Sequence, residues 1–251
     1  MSCGILVIRK NLKSMIQPNK APVAPHVIAW RTNIQEVDRL LSIHTLVAGT
    51  SPGRKRDVQV LNKSALILLL ACWEAYVEDM AKNSFEFMLD NAAAPNVFEE
   101  YVLAIAAKEI KQGSTQDLWA LAGSGWKTAL SAHKEKILNK YIVKGSFNTP
   151  SSENIDRLFS ELIGLKGMSK EWHWPGMSNA TAITKLAELI DQRGAIAHRV
   201  ESSQAVYKKD VVAYRNFISR LAVITHNRML ALVYAKTKKR PWRRHKHGKT
   251  N

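Results

Sequence analysis

The feature that most constrains the fold is a run from Val58 to Asn91 that contains neither glycine nor proline. Its central part, Leu66 to Cys72, is apolar at every position. A helix that is apolar on all sides is typical of the middle of a bundle, where neighbouring helices surround it. We therefore expect one long helix in this region, with the rest of the domain packed around it.

The other periodic segments repeat their apolar residues with helical spacing rather than with the alternation of a strand. Ile34, Val37 and Leu41 form one such stripe, and glycine or proline separates it from the segments that follow. Ser151 or Ser152 is a suitable N-cap for the helix after it, and Ser178 or Asn179 for the next. The sequence predicts an all-α domain of about six to seven helices over residues 26–235.

Residues 1–25 end in a stretch punctuated by prolines and are interpreted as a lead-in segment. No run reaches the roughly 18 apolar residues of a membrane span, and no secretory signal is recognisable. The two cysteines are too few for a disulfide framework or a thiolate metal site. We expect a soluble cytoplasmic protein that makes no membrane contact.

Basic residues dominate the charge, with 37 Lys and Arg against 21 Asp and Glu and a formal net charge of +16. From Lys236 to the end there are eight basic residues and no acidic one. Like charges this dense repel each other, so residues 236–251 are predicted to form a disordered tail. Nucleic acid is the favoured partner because each neutralised phosphate releases counterions, although a solubilising or weakly membrane-attracted tail is the alternative. The candidate contacts are Trp242, by stacking on a base, and the cations Lys238, Lys239, Arg240, Arg243 and Arg244.

No phosphate-binding glycine loop, His-Glu-x-x-His pair or Cys-x-x-Cys pair is present, so neither a cofactor nor a metal is predicted. Arg193 and His198 instead suit metal-independent cleavage of a phosphodiester. A guanidinium stabilises the charge that builds on phosphate oxygens, and an imidazole transfers protons near neutral pH. Five residues apart on a regular helix, the two diverge by roughly 140°. We expect local unwinding near Gly194, after a helix that ends at about Gln192, to bring them into one cleft.

A second constellation lies inside the long predicted helix. Glu74 and Glu78 are four residues apart, so they share one face, and Tyr76 lies between them after Trp73. Two acids directed into a bundle are costly unless they are paired or hydrogen-bonded. The favoured interpretation is that they orient the helices through arginine or backbone groups, and a direct catalytic role is the alternative.

These two motifs together resemble the HEPN domains (higher eukaryotes and prokaryotes nucleotide-binding), in which His follows Arg after four to six residues. The segment Leu189 to His198 is similar to the form Leu-x-x-x-Arg-Asn-x-Ile-Ala-His of the RiboL-PSP-type group. The segment Trp73 to Glu78 resembles the Trp-Glu-x-Tyr-x-Glu element of an early long helix in that group. The resemblance covers roughly residues 30–235, and the last helix is expected to start at Ser202 or Ser203.

The resemblance implies an up-and-down helical core that forms a homodimer, with both copies of the motif in one composite cleft. It implies a metal-independent endoribonuclease in which Arg193 stabilises the scissile phosphate and His198 acts as acid or base on the ribose 2′-hydroxyl. The expected products are a 2′,3′-cyclic phosphate and a 5′-hydroxyl. Glu74, Glu78 and Tyr76 would support the site.

One departure leaves a second interpretation open. Gly194 stands where the group usually has Asn or another polar residue, and some HEPN proteins are non-catalytic binding modules. The alternatives are therefore an RNA-cleaving enzyme, as in toxins and phage defence, a non-catalytic RNA-binding module, or a subunit that binds an antitoxin or defence partner. The indoles of Trp172 and Trp174 would offer the partner surface in the last case, but covering the core is the simpler role for them.

Overall fold

The computed structural model describes residues 21–49, 58–110, 121–143, 149–198 and 205–246. Seven α-helices lie within these ranges, and no strand does; only an isolated antiparallel bridge joins Trp174 to Met177. The prediction of an all-α bundle is confirmed. The helices are α1 (Pro25–Ala48), α2 (Gln59–Asn91), α3 (Glu100–Ile110), α4 (Gly125–Leu138), α5 (Ser152–Ile163), α6 (Asn179–His198) and α7 (Lys208–Thr237).

Helix α2 is the centre of the bundle, as its apolar sequence predicts. It contacts α1, α4, α5, α6 and α7. Leu66, Leu69, Trp73, Met80 and Phe85 have no solvent-exposed area. By length and composition alone α2 would also be able to cross a membrane, but half of its most apolar window is buried inside the bundle, as in the core helix of a soluble fold.

Local signals set several helix ends. The Ser151 hydroxyl accepts a hydrogen bond from the Asn154 backbone N–H at 3.2 Å and caps α5, whose other end is Gly164 in the left-handed conformation. The Ser178 hydroxyl accepts from the Thr181 N–H at 3.1 Å at the start of α6. Both predicted serine caps are confirmed.

Helix α7 differs from the expectation at its start. It begins at Lys208 rather than at Ser202 or Ser203, and the Asp210 carboxylate accepts a hydrogen bond from the Tyr207 N–H at 3.2 Å. Residues 201–204 lie outside the described ranges. The helix starts five or six residues later than expected, where the acidic side chain of its first turn satisfies a free backbone donor.

The loop before α6 covers the core. Trp172 is fully buried, and its indole N–H donates to the Thr225 hydroxyl on α7 at 2.9 Å. Trp174 is half-buried and packs against Phe217, with 6.1 Å between ring centroids. The simpler interpretation of the two indoles, that they cover the core, is confirmed.

Candidate functional site

Arg193 continues the stripe of α6 that faces the bundle. Ala182, Leu186 and Leu189 are buried at helical spacing, and Arg193 follows Leu189 by four residues. The side chain is half-buried. Because α6 packs against α2, this stripe carries the guanidinium toward the central helix.

The pKa of Glu74 on α2 indicates that this carboxyl interacts with Arg193 on α6. Partial burial raises the pKa of Glu74, and the positive charge of Arg193 opposes that rise. The two groups are therefore close enough to interact electrostatically. This pairing joins the two motifs of the sequence.

Glu78 lies one turn further along α2 and is half-buried. Burial, followed by the negative charges of Glu74 and Asp79, raises its pKa to about 7. Burial also raises the pKa of Asp79, against the charge of Lys82. A carboxyl group that titrates near neutral pH can accept or donate a proton under working conditions, so Glu78 is suited to proton transfer.

The expected unwinding at Gly194 is wrong. Helix α6 continues without a break from Asn179 to His198, so positions 193 and 198 differ by roughly 140° around the axis and about 7.5 Å along it. Gly194 has open space where a Cβ would lie, so no close contact requires a glycine there. The side chain of His198 is outside the described part of the structure. Within one chain, this helix does not make the two positions converge.

Tyr76 is also not where the sequence interpretation placed it. Two residues along a helix correspond to about 200°, so Tyr76 projects from the side of α2 opposite Glu74. It is 2 % exposed, and its hydroxyl donates to the Ala222 carbonyl on α7 at 3.1 Å. Tyr76 therefore packs the core and does not support the Arg193 site.

The basic C-terminal segment contradicts the prediction of disorder as far as it is described. Trp242 is 3 % exposed and packs edge-on against His26, with ring centroids 5.0 Å apart, and against Phe87 at 6.4 Å. A ring enclosed in this way has no face available for a base, so the stacking role is wrong. Residues 247–251 lie outside the described ranges. The five candidate cations are all exposed: Lys238, Lys239, Arg240, Arg243 and Arg244.

A buried histidine pair lies beneath Trp242, and sequence reasoning missed its partnership. Nε2 of His226 is 3.0 Å from the Arg243 carbonyl oxygen, which only accepts, so this nitrogen donates. Nδ1 of His226 therefore accepts from Nε2 of His26, 3.0 Å away. Nδ1 of His26 is left as the acceptor for the Asn83 amide at 3.4 Å. The chain of hydrogen bonds is complete with both rings neutral.

Burial enforces that neutral state. It lowers the pKa of His26 to about 2, with further contributions from His226 and His245, and lowers the pKa of His226 to about 4. His226 is fully buried, and its hydrogen bonds give it a structural role. The two histidines are 200 residues apart in sequence, so no local spacing indicates their contact.

Among the described residues, no group of three or more His, Cys, Asp or Glu side chains is arranged to hold a metal ion. The candidate site comprises Arg193, the carboxyls of Glu74 and Glu78, and position 198 at the end of the same helix. These groups suit proton transfer and the stabilisation of a negatively charged phosphate.

Comparison with known proteins identifies the family of the chain. Residues 31–231 match the RiboL-PSP-HEPN family, a range that includes α2, α6 and most of α7. No curated protein and no solved structure matches the chain. HEPN domains commonly act on RNA, often as ribonucleases, and this coarse function follows from the match. The chain belongs to the RiboL-PSP-HEPN family.

Proposed function

We propose that this protein is a metal-independent endoribonuclease whose active site combines Arg193 of one copy with His198 of a second copy. The observation that carries the proposal is the unbroken helix α6. It keeps the two positions roughly 140° apart in one chain, while the charge of the guanidinium lowers the pKa of the Glu74 carboxyl against the larger rise caused by burial. A second copy, related by a twofold axis, supplies the missing partner without any distortion of the helix.

The proposed reaction is an internal transesterification of RNA. The imidazole of His198 takes the proton from a ribose 2′-hydroxyl, whose oxygen then forms a bond to the adjacent phosphorus. The bond from phosphorus to the 5′-oxygen of the next nucleotide breaks, and that oxygen receives a proton from water, while the His198 imidazolium returns its own proton to the solvent. Arg193 stabilises the negative charge on the phosphate oxygens during this step. The products are a 2′,3′-cyclic phosphate and a 5′-hydroxyl.

The acids of α2 have supporting roles in this proposal. Glu74 orients the Arg193 guanidinium, because the two charges attract each other across the contact of α2 with α6. Glu78, with its pKa near 7, is present in both protonation states at neutral pH and helps to set the electrostatic balance of the cleft. Neither carboxyl is required to react with the substrate.

The first experiment measures cleavage of single-stranded RNA in EDTA by the full chain. His198→Ala and Arg193→Ala are each expected to abolish cleavage, while circular dichroism and thermal unfolding stay close to wild type. Arg39→Ala is the matched control, since Arg39 pairs with Glu36 on the exposed side of α1. Undiminished cleavage in either motif variant would refute the assignment of the site.

Mixing the two inactive variants tests whether the site is shared between copies. A mixed dimer has one site with an intact arginine and an intact histidine, so the mixture is expected to recover part of the wild-type activity. If both groups act within one chain, every site in the mixture lacks one of them and no activity returns. Sedimentation of the mixture verifies that dimers form.

A non-catalytic RNA-binding module is the second candidate, and Gly194 favours it. The usual polar side chain at that position is missing, although there is open space for one. This candidate predicts salt-sensitive RNA binding without product ends at any protein concentration. If cleavage is found, we further propose a toxin or defence role, for which expression of the active chain but not of His198→Ala would arrest cell growth.

A further inference from the structure

The C-terminal strap, residues 238–246, is anchored to the bundle along its length. It turns away from α7 at Lys238, which adopts a left-handed conformation with φ 56°, and then runs back beside that helix. The Arg243 N–H donates to the Pro22 carbonyl at 2.9 Å. The Asn227 side chain on α7 exchanges two hydrogen bonds with the His245 backbone, at 3.0 and 3.2 Å. Trp242, which precedes the first of these anchors, is buried in the core.

The charged side chains of the strap all remain outside. Six cations are exposed on it, and no acidic residue follows Lys236 in the sequence. None of the six forms an ion pair with another residue in the described ranges, whereas Lys236, just before the strap, pairs with Glu99 at 2.6 Å. The six are Lys238, Lys239, Arg240, Arg243, Arg244 and Lys246.

We propose that the strap is a preformed surface that binds the phosphate backbone of single-stranded RNA without reading its sequence. Its backbone is already fixed by the anchors, so binding avoids much of the entropy cost of ordering a free tail. Several unpaired cations on one short segment attract a polyanion strongly, because every neutralised phosphate releases counterions. Since Trp242 is buried, contact is made with phosphates and not by stacking on bases.

The surface lacks what an acidic protein partner would require. Protein interfaces depend on apolar or aromatic anchors that become buried on binding. On the strap itself the only aromatic side chains are Trp242, which is already buried, and His245, which is half-buried against Tyr76 and His226. A row of cations with no exposed apolar centre suits a flexible polyanion better.

The strap lies apart from the proposed cleavage site of its own chain. His245 contacts Tyr76, which projects from the side of α2 opposite Glu74 and Arg193. The strap would therefore hold RNA that flanks the scissile bond, or RNA delivered to the cleft. The proposal rests on RNA being the substrate class, but it does not rest on catalysis by Arg193.

The test uses the full chain with His198→Ala, so that RNA stays intact, and measures binding of a fluorescent single-stranded RNA between 50 and 200 mM KCl. Changing the six strap cations to Gln is expected to make the plot of log affinity against log salt shallower. The slope should change by roughly 0.7 for each phosphate that the strap no longer neutralises, up to about 4 in total. The matched control changes six exposed cations elsewhere to Gln: Arg39, Lys82, Lys140, Lys166, Lys170 and Lys209.

A second variant separates an ordered strap from a merely charged tail. Asn227→Ala removes the two bonds to the His245 backbone and keeps every cation and the buried indole. Affinity at 50 mM KCl is expected to fall several-fold, because binding must then order the end of the strap. Unchanged affinity in this variant would overturn the claim that the surface is preformed.

Two further outcomes would overturn the proposal. One is an equal reduction of slope in the strap and control variants, which would mean that only net charge matters. The other is binding to vesicles with anionic lipid as tightly as to RNA, which would identify a membrane surface instead. If the protein cleaves RNA but the strap contributes nothing to RNA binding, only the inference about the strap is refuted. If the strap binds RNA but the protein does not cleave it, only the proposed ribonuclease activity is refuted.

Discussion

Acid should destabilise this protein through the buried His26–His226 pair. Both rings are neutral in the folded protein, with pKa values lowered to about 2 and about 4 from an ordinary 6.5. The unfolded chain therefore binds protons at these positions as the pH falls below 6.5, and the folded chain does not. The stability that the pair contributes is complete above that value and is lost toward lower pH.

The magnitude follows from the two sets of pKa values. Between pH 7 and pH 5, each histidine lowers the free energy of unfolding by about 2 kcal/mol, so that the pair accounts for about 4 kcal/mol. This is a large share of the ~5–15 kcal/mol by which domains are usually stable. Because the last acceptor in the chain of hydrogen bonds is the Arg243 carbonyl, the strap should loosen before the bundle unfolds.

Urea unfolding at pH 7, 6 and 5 measures this effect. His226→Gln keeps a donor and an acceptor but does not titrate, so its loss of stability from pH 7 to 5 should be about 2 kcal/mol smaller than that of wild type. The comparison uses differences between pH values, which cancels the packing cost of the substitution. His173→Gln, in the exposed loop before α6, should retain the full difference. An undiminished pH dependence in His226→Gln would refute the reasoning.

Three substitutions test local features of the helices. Gly194→Ala should stabilise the continuous α6 by about 1 kcal/mol and raise Tm by roughly 2–4 °C in a thermal scan, since its Cβ meets nothing. Gly164→Ala should lower Tm, because its φ is +86° and the new Cβ would lie 2.5 Å from Glu99 Cγ. Glu78→Gln should raise the free energy of unfolding in urea by roughly 1–2 kcal/mol at pH 8 and by little at pH 4. The reason is that the pKa of Glu78 is about 7 in the folded protein, so the wild type loses stability as the pH rises above 4.5, the ordinary pKa of the group.

Features set by local chemistry were predictable from the sequence. The unbroken apolar run specifies α2, and the serine hydroxyls at 151 and 178 specify the starts of α5 and α6. The position of Tyr76 was also predictable, because a helix places it about 200° from Glu74. Glu74 and Tyr76 were assigned to one site because they are close in the sequence motif, but helical geometry places them on opposite sides of α2.

Features set by tertiary contacts were not predictable. One glycine costs a helix about 1 kcal/mol, which suggested a break at Gly194. Burial of Leu186 and Leu189 against the bundle stabilises α6 by more than that. In the strap, charge density predicted disorder, but Trp242 and Asn227 anchor it to residues far away in the sequence. Neither the continuity of α6 at Gly194 nor the order of the strap is indicated by the residues next to it in the sequence.

The energetics of α2 support the proposed site. Glu74 and Glu78 are partly buried on the central helix, and burial raises the pKa of both, which means that their charged forms are destabilised. Arg193 offsets this cost at Glu74, whereas the neighbouring charges of Glu74 and Asp79 add to the cost at Glu78. A glutamine at 78 would fit the same space without the penalty. Residues that lower stability are expected where a site must do chemistry. Glu78 is such a residue, and it lies one helical turn from Glu74, the carboxyl that interacts with Arg193.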